Sequence, residues 1–223
     1  MRNLRDQPIV TYALLVICVL VFLGEQLAGG SQTSAVLVGF GARFAPLVYD
    51  GEWWRLFTAM FLHIGWMHLL MNMFTLYILG RLSEGIFGHW RFLVIYLISG
   101  LGGNFAGLLF DNQNVLAAGA STALFGLLGA FLMIGDSFRD NPAIKAMTRQ
   151  FLVLIGINLL FDITQSGIDI AGHLGGLIAG FLIAGVVGAP RVGQISRTRR
   201  ILMGVVLVAA PLLLAVTVGG GFE

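Results

Sequence analysis

Ser121, in Gly119-Ala120-Ser121-Thr122-Ala123-Leu124-Phe125-Gly126, and His173, in Ala171-Gly172-His173-Leu174-Gly175-Gly176, each lie inside a long apolar, glycine-rich stretch. A serine hydroxyl is a weak nucleophile until a neighbouring imidazole takes its proton. An imidazole held in hydrocarbon is costly and usually functional. Together they point to acyl transfer or hydrolysis within a membrane. That chemistry puts negative charge on a former carbonyl oxygen and needs donors placed in advance. His68 and Asn72, four apart on one helical face, are two candidates. The Ser121 backbone N–H is a third, because the first amides of a helix lack an intrahelical partner. Gly119 and Ala120 are small enough to let a substrate backbone approach.

Each of these residues also has a plainer role. A serine in a membrane helix commonly bonds the carbonyl four residues back, and a histidine or asparagine can simply join two helices. What sets the group apart is a shared depth, which depends on the elements that carry it.

Of the 223 residues, 57% are hydrophobic and 11% charged, against about 25% charged in an ordinary soluble domain. The bilayer must therefore solvate much of the surface. Hydropathy separates seven candidate spans, roughly 9–28, 57–80, 92–110, 115–135, 150–164, 171–189 and 201–219, each near the ~20 residues a crossing helix needs. The fifth is the shortest. Met1-Arg2-Asn3-Leu4-Arg5 and the apolar run after it are read as a retained span rather than a signal peptide, for no small-x-small cleavage site follows directly. Pro142 breaks the chain between the fourth and fifth spans. Cys18, the single cysteine, excludes an internal disulfide and a cysteine-rich metal site. No basic cluster interleaved with aromatics suggests nucleic acid.

With the N-terminus in the cytoplasm, Arg2, Arg5, Arg81, Arg91, Arg139, Lys145, Arg149, Arg191, Arg197, Arg199 and Arg200 all fall inside, and only Arg43 and Arg55 of the 13 basic residues fall outside. The positive-inside rule favours this topology, with the C-terminus outside. Ser121 then stands near the outer start of the fourth span and His173 near the outer start of the sixth. The second span also enters from outside, so His68 and Asn72 share that depth. Gly126 and Gly129 in the fourth span, and Gly176 with Gly180 in the sixth, read as small-x-x-x-small devices that let the two backbones approach. Trp53, Trp54 and Trp66 read as outer-interface aromatics. Glu84, Arg81 and Arg91 read as staples of the cytoplasmic ends.

At these residues the sequence resembles the rhomboid family of intramembrane serine proteases. Trp54-Arg55, then His63/His68/Asn72, Glu84 with Gly88, Gly-Ala-Ser121 and Ala-Gly-His173-x-x-Gly176-x-x-x-Gly180 occur in order over about residues 50–185. The resemblance implies an all-α polytopic bundle of the bacterial type. Residues 1–190 would form a six-helix core, and 191–223 a basic cytoplasmic linker and seventh helix. It implies a Ser121–His173 dyad without a third carboxylate. His68, Asn72 and the Ser121 N–H would stabilise the oxyanion, supported by Gly119, Phe125, His63 and Gly176. It implies no cofactor and no metal. Transmembrane protein substrates and the lipid bilayer are the implied partners, and a bacterial plasma membrane the location. The oligomeric state is open. Departures are Thr122 where many members carry glycine, Phe125 where many carry tyrosine, and Gly172 where many carry alanine. Asp169 reads as a loop acid near the surface, and Asn104 has no assigned role.

Rival readings are weaker. A catalytically silent rhomboid-like escort protein typically loses one of the polar residues that are all retained here. A zinc site on His63 and His68 meets a five-residue step of about 140° around a helix, and no HExxH occurs. An aspartyl mechanism needs adjacent carboxylates, whereas Asp50 and Asp136 fall on opposite sides. No inverted repeat suggests a transporter.

Overall fold

The computed structural model describes residues 7–110, 115–165 and 167–219, so Arg2 and Arg5 of the charge argument lie outside the described residues. The elements are α1 (Ile9–Leu27), α2 (Ser34–Phe40), α3 (Ala45–Tyr49), α4 (Arg55–Thr58), α5 (Gly65–Thr75), α6 (Arg81–Phe87), α7 (His89–Phe110), α8 (Ser121–Ser137), α9 (Pro142–Thr164), α10 (Ile170–Val187) and α11 (Arg197–Gly219). No β-strand occurs among the described residues. One isolated antiparallel bridge joins Arg43 to Ala117.

Among the described residues, five helices, α1, α7, α9, α10 and α11, are long and apolar enough to cross a membrane. Counted as one broken span, the pair Arg55–Phe61 and Gly65–Phe87, whose two arms meet at 89°, makes a sixth. α8 is apolar but shorter, at 17 residues. The seven hydropathy segments thus all fall on helices, three of them with different boundaries.

The second crossing does not run straight from residue 57. Leu62 and Ile64 are extended, and Gly65 opens α5 at φ +79°, where a Cβ would stand 2.7 Å from the Gln32 side-chain nitrogen. Leu62-His63-Ile64 carries no breaker residue, so hydropathy cannot see the turn. Beyond it the helix continues through a π-helical turn at Leu76–Gly80 to Phe87. The fourth crossing begins at Ser121 rather than 115, because the residues before it are spent on the Arg43–Ala117 bridge and on a bond from Gly119 N–H to the Ala59 carbonyl (2.9 Å). The fifth is longer than hydropathy suggested. Pro142 sits in the first turn of α9, where its missing N–H costs nothing, and the Asn141 side chain caps that turn by accepting from Ala143 N–H and Ile144 N–H.

The helix that carries the serine is the centre of the bundle. α8 is buried from Thr122 to Ala130 without a gap and onward at Phe131, Met133, Ile134 and Gly135. A helix apolar all round belongs inside, and α7, α9 and α10 surround it. Outer helices show the opposite pattern. α9 exposes Leu152, Val153, Ile157, Leu160, Phe161 and Ile163, a surface suited to acyl chains and not to water. α11 is mostly exposed as well and docks on α10, with Met203 against Gly185 and Arg200 donating to the Val186 carbonyl (2.8 Å).

Buried polar residues tie the ends of the spans. Glu84 accepts from Val10 N–H (2.9 Å), Thr11 N–H (2.8 Å) and the Thr11 hydroxyl (2.7 Å), and also contacts His89. It thereby holds the first turn of α1, as a staple should. Arg91 donates to the Val187 carbonyl, whereas among the described residues Arg81 bonds locally, to Tyr77.

Candidate active site

α8 and α10 approach at the distance of bare backbones. A Cβ on Gly176 would stand 2.1 Å from the Thr122 carbonyl oxygen, and one on Gly180 2.0 Å from that of Gly126. Across the same interface a Cβ on Gly129 would meet the Leu177 oxygen at 2.0 Å. No other residue fits these positions without a shift of the backbone. Small residues thus do for these helices what they do in membrane interfaces generally. Ser121 is the first residue of α8 and His173 lies in the first turn of α10, so the close packing places both side chains at one end of the pair.

There the two residues meet. Ser121 Oγ is 2.8 Å from His173 Nε2. On its other side the ring places Nδ1 2.7 Å from Asp162 Oδ2 of α9. An ionised carboxylate only accepts, so the network assigns the proton to Nδ1. A neutral ring with that proton leaves Nε2 as an acceptor for the Ser121 hydroxyl. His173 and Asp162 are both buried. Phe125 stacks on the imidazole, with ring centroids 4.3 Å apart and planes 14° apart, one turn along α8 from Ser121.

The approach to the serine is shaped by Gly119 and His68. Gly119 has φ +138°, a conformation glycine tolerates and other residues rarely adopt. A Cβ there would lie 2.8 Å from His68 Nε2 and 3.7 Å from Ser121 Oγ. The His68 Nδ1 atom accepts from Ile64 N–H at 3.2 Å, which leaves the ring's proton on Nε2, the nitrogen facing Gly119. α8 makes its first intrahelical bond from Leu124 N–H to the Ala120 carbonyl (3.0 Å), and no side chain caps it. The Ser121 amide is thus a donor without an intrahelical acceptor. A serine hydroxyl, an imidazole held by a carboxylate and two N–H donors share one end of the bundle. Among the described residues, no group of three or more His, Cys, Asp or Glu side chains is placed to hold a metal.

A family model described as the Rhomboid domain matches residues 50–190. Among curated proteins, Rhomboid protease GluP of Bacillus subtilis (strain 168) is 40% identical over 205 residues, covering 92% of this chain and 39% of its own length. RHOMBOID-like protein 5 of Arabidopsis thaliana is 37% identical, over 66% of this chain and 48% of its own. Putative rhomboid protease YdcA of Bacillus subtilis (strain 168) is 34% identical, over 61% of this chain and 68% of its own. The chain belongs to the rhomboid family. It spans less than half the length of the first two of these relatives. It is an integral, multi-pass membrane protein with an all-α helical bundle.

In this rhomboid, Ser121, His173, Phe125, Gly119, Gly176 and His68 come together as the sequence suggests. Asn72 is buried in the same helix as His68 but spends one amide hydrogen on the His68 carbonyl at 3.0 Å. His63 is fully buried, its ring edge-on to His68 with centroids 5.3 Å apart, so it packs against that ring.

Two sequence expectations need correction. The first is the absence of a carboxylate on the histidine, since Asp162 occupies that place. Eleven residues and the turn between α9 and α10 separate the two in sequence, so no local motif joins them. A signal was nevertheless present: Ile155, Leu159 and Asp162 form an i, i+4, i+7 stripe, with Asp162 near the C-terminal end of α9. The second concerns Asp169, which lies in the loop before α10 as expected but is partly buried and structural. It caps α10 by accepting from Gly172 N–H and pairs with the buried Arg43 at 2.8 Å. Arg43 also donates to the Asn104 carbonyl (2.9 Å), and the Asn104 amide donates to the Leu56 carbonyl (2.8 Å). Asn104 therefore fastens α7 to the first loop.

Proposed function

We propose that this rhomboid is a serine-type intramembrane endopeptidase that hydrolyses peptide bonds in or near the transmembrane segments of other membrane proteins. The observation that carries the reading is the 2.8 Å contact between Ser121 Oγ and His173 Nε2 where α8 and α10 begin. The names of GluP and YdcA, a rhomboid protease and a putative one, support it.

The steps follow from the atoms. His173 Nε2 takes the Ser121 proton as Oγ bonds to the scissile carbonyl carbon, and the carbonyl electron pair moves to oxygen. The Ser121 N–H and His68 Nε2–H donate to that oxyanion, with Asn72 assisting. Collapse of the intermediate breaks the C–N bond, and the leaving amine takes the proton from Nε2. A water then repeats the sequence: it loses a proton to Nε2, attacks the acyl carbon, and the departing Oγ recovers the proton. Phe125 holds the ring plane throughout. A helical substrate hides its amides in its own hydrogen bonds, so the segment must unwind locally before Oγ can reach a carbonyl.

In this reading the N-terminus is cytoplasmic, the site opens toward the outer face, and residues 1–190 form the catalytic core with 191–223 an added linker and crossing. The test is cleavage of a transmembrane substrate by purified protein in liposomes. Ser121→Ala and His173→Ala should each abolish cleavage while retaining the helical content and thermal transition of the wild type. Substantial cleavage by either variant, free of contaminating protease, would refute the assignment.

A further inference from the structure

Burying a carboxylate in a membrane protein is costly unless it is paired and used. α9 has little inward-facing surface. Its buried residues are Ile155 and Asp162, about two turns apart on one face with the half-buried Leu159 between them. The rest of its outer half faces outward. One of the few inward positions of a lipid-facing helix is thus an aspartate, and its Oδ2 meets the distal nitrogen of the histidine that contacts Ser121.

We propose that Asp162 is a positioning residue for His173, making the site a Ser121–His173–Asp162 relay and not a dyad. The inference rests on the reading of Ser121 and His173 as nucleophile and base. A neutral imidazole has two tautomers and can turn about its side-chain bonds. Only the form with the proton on Nδ1 presents a lone pair from Nε2 to the serine. The Asp162 carboxylate selects that tautomer, fixes the ring against the Phe125 face and stabilises the imidazolium that forms during attack, without taking the proton itself. Because Asp162 belongs to α9, the bond also anchors that helix to the site. Packing from the Phe125 side alone fixes the ring plane but not which nitrogen carries the proton.

The test uses the full chain in liposomes with a transmembrane substrate. Asp162→Asn keeps the size and removes the charge, Asp162→Ala removes the contact, and Asp162→Glu retains the carboxylate. Asp162→Asn should lower kcat by about 10-fold to 10⁴-fold, the upper end being the loss when the aspartate of a soluble serine protease triad becomes asparagine. KM should stay within about two-fold, since Asp162 touches no substrate, and Asp162→Glu should recover part of the loss. On the resting wild-type enzyme, ¹⁵N NMR of labelled histidine, assigned by comparison with His173→Ala, should show His173 protonated at Nδ1. The signal should be lost in Asp162→Ala. The spectrum of the wild type keeps the test open even where a variant fails to fold. A kcat for Asp162→Asn equal to wild type with Ser121→Ala inactive, or a His173 protonated at Nε2, would overturn the proposal and leave the Ser–His pair standing. Cleavage surviving in Ser121→Ala would instead remove the site reading beneath it.

Discussion

Gly176 and Thr122 touch so closely that a Cβ on the glycine would stand 2.1 Å from the threonine carbonyl oxygen. The contact lies one residue from Ser121 and three from His173, so it sets the spacing on which the 2.8 Å Ser–His contact depends. Gly176→Ala should push α10 away from α8. Overpacking of this kind costs about 1–3 kcal/mol. Cleavage should fall by more than the folded fraction does, which is checked by measuring turnover beside the thermal transition in the same detergent. Turnover per folded molecule equal to wild type would show that the spacing is looser than the backbone contacts imply.

Glu84 offers a contrasting case at the far end of the bundle. It accepts from Val10 N–H, Thr11 N–H and the Thr11 hydroxyl. Glu84→Gln would turn a donating NH₂ toward at least one of these donors. Leaving a buried polar group unsatisfied costs about 1–3 kcal/mol, so the denaturation midpoint should drop. Turnover per folded molecule should hold, because Glu84 is remote from Ser121.

His68→Ala should preserve the fold and lower kcat by about 10²–10³, the usual cost of one oxyanion donor. Asn72→Ala should cost less, as one of its amide hydrogens is already given to the His68 carbonyl. Steady-state kinetics on both variants checks the order. A larger kcat loss in Asn72→Ala would make Asn72 the principal donor.

The assigned topology predicts which sites an impermeant thiol reagent can reach. On a Cys18→Ala background, Asp50→Cys should label on intact cells and Lys145→Cys only after lysis. The reverse pattern would put the Ser121 end of the bundle on the cytoplasmic side.

Much of the bundle was legible because hydrocarbon imposes long apolar runs, and all seven such runs fall on helices. Ser121 and His173 were legible because their motifs lie on spans to which the loop charges assign a common depth, and Phe125 because the family resemblance puts a ring four residues after the serine. What stayed hidden was set by tertiary contact. The turn at Leu62–Ile64 is made of ordinary apolar residues and one histidine, and it ends at Gly65, whose φ of +79° and closeness to Gln32 leave no room for a side chain. The start of α8 moved to Ser121 because Ala117 pairs with Arg43 in a distant loop. Asp162 was hidden because hydropathy places an acid near a span end without saying which way it faces. Asp169, nearer to His173 in sequence, pairs with Arg43 instead.

The most direct test of the central claim is adduct mapping with a serine-directed fluorophosphonate. Purified wild-type protein should carry the phosphonyl group on Ser121 by mass spectrometry, Ser121→Ala should carry none, and His173→Ala should label far more slowly because its hydroxyl keeps its proton. Equal labelling of Ser121→Ala, or an unmodified Ser121 in a preparation whose cleavage activity the reagent has abolished, would contradict the account.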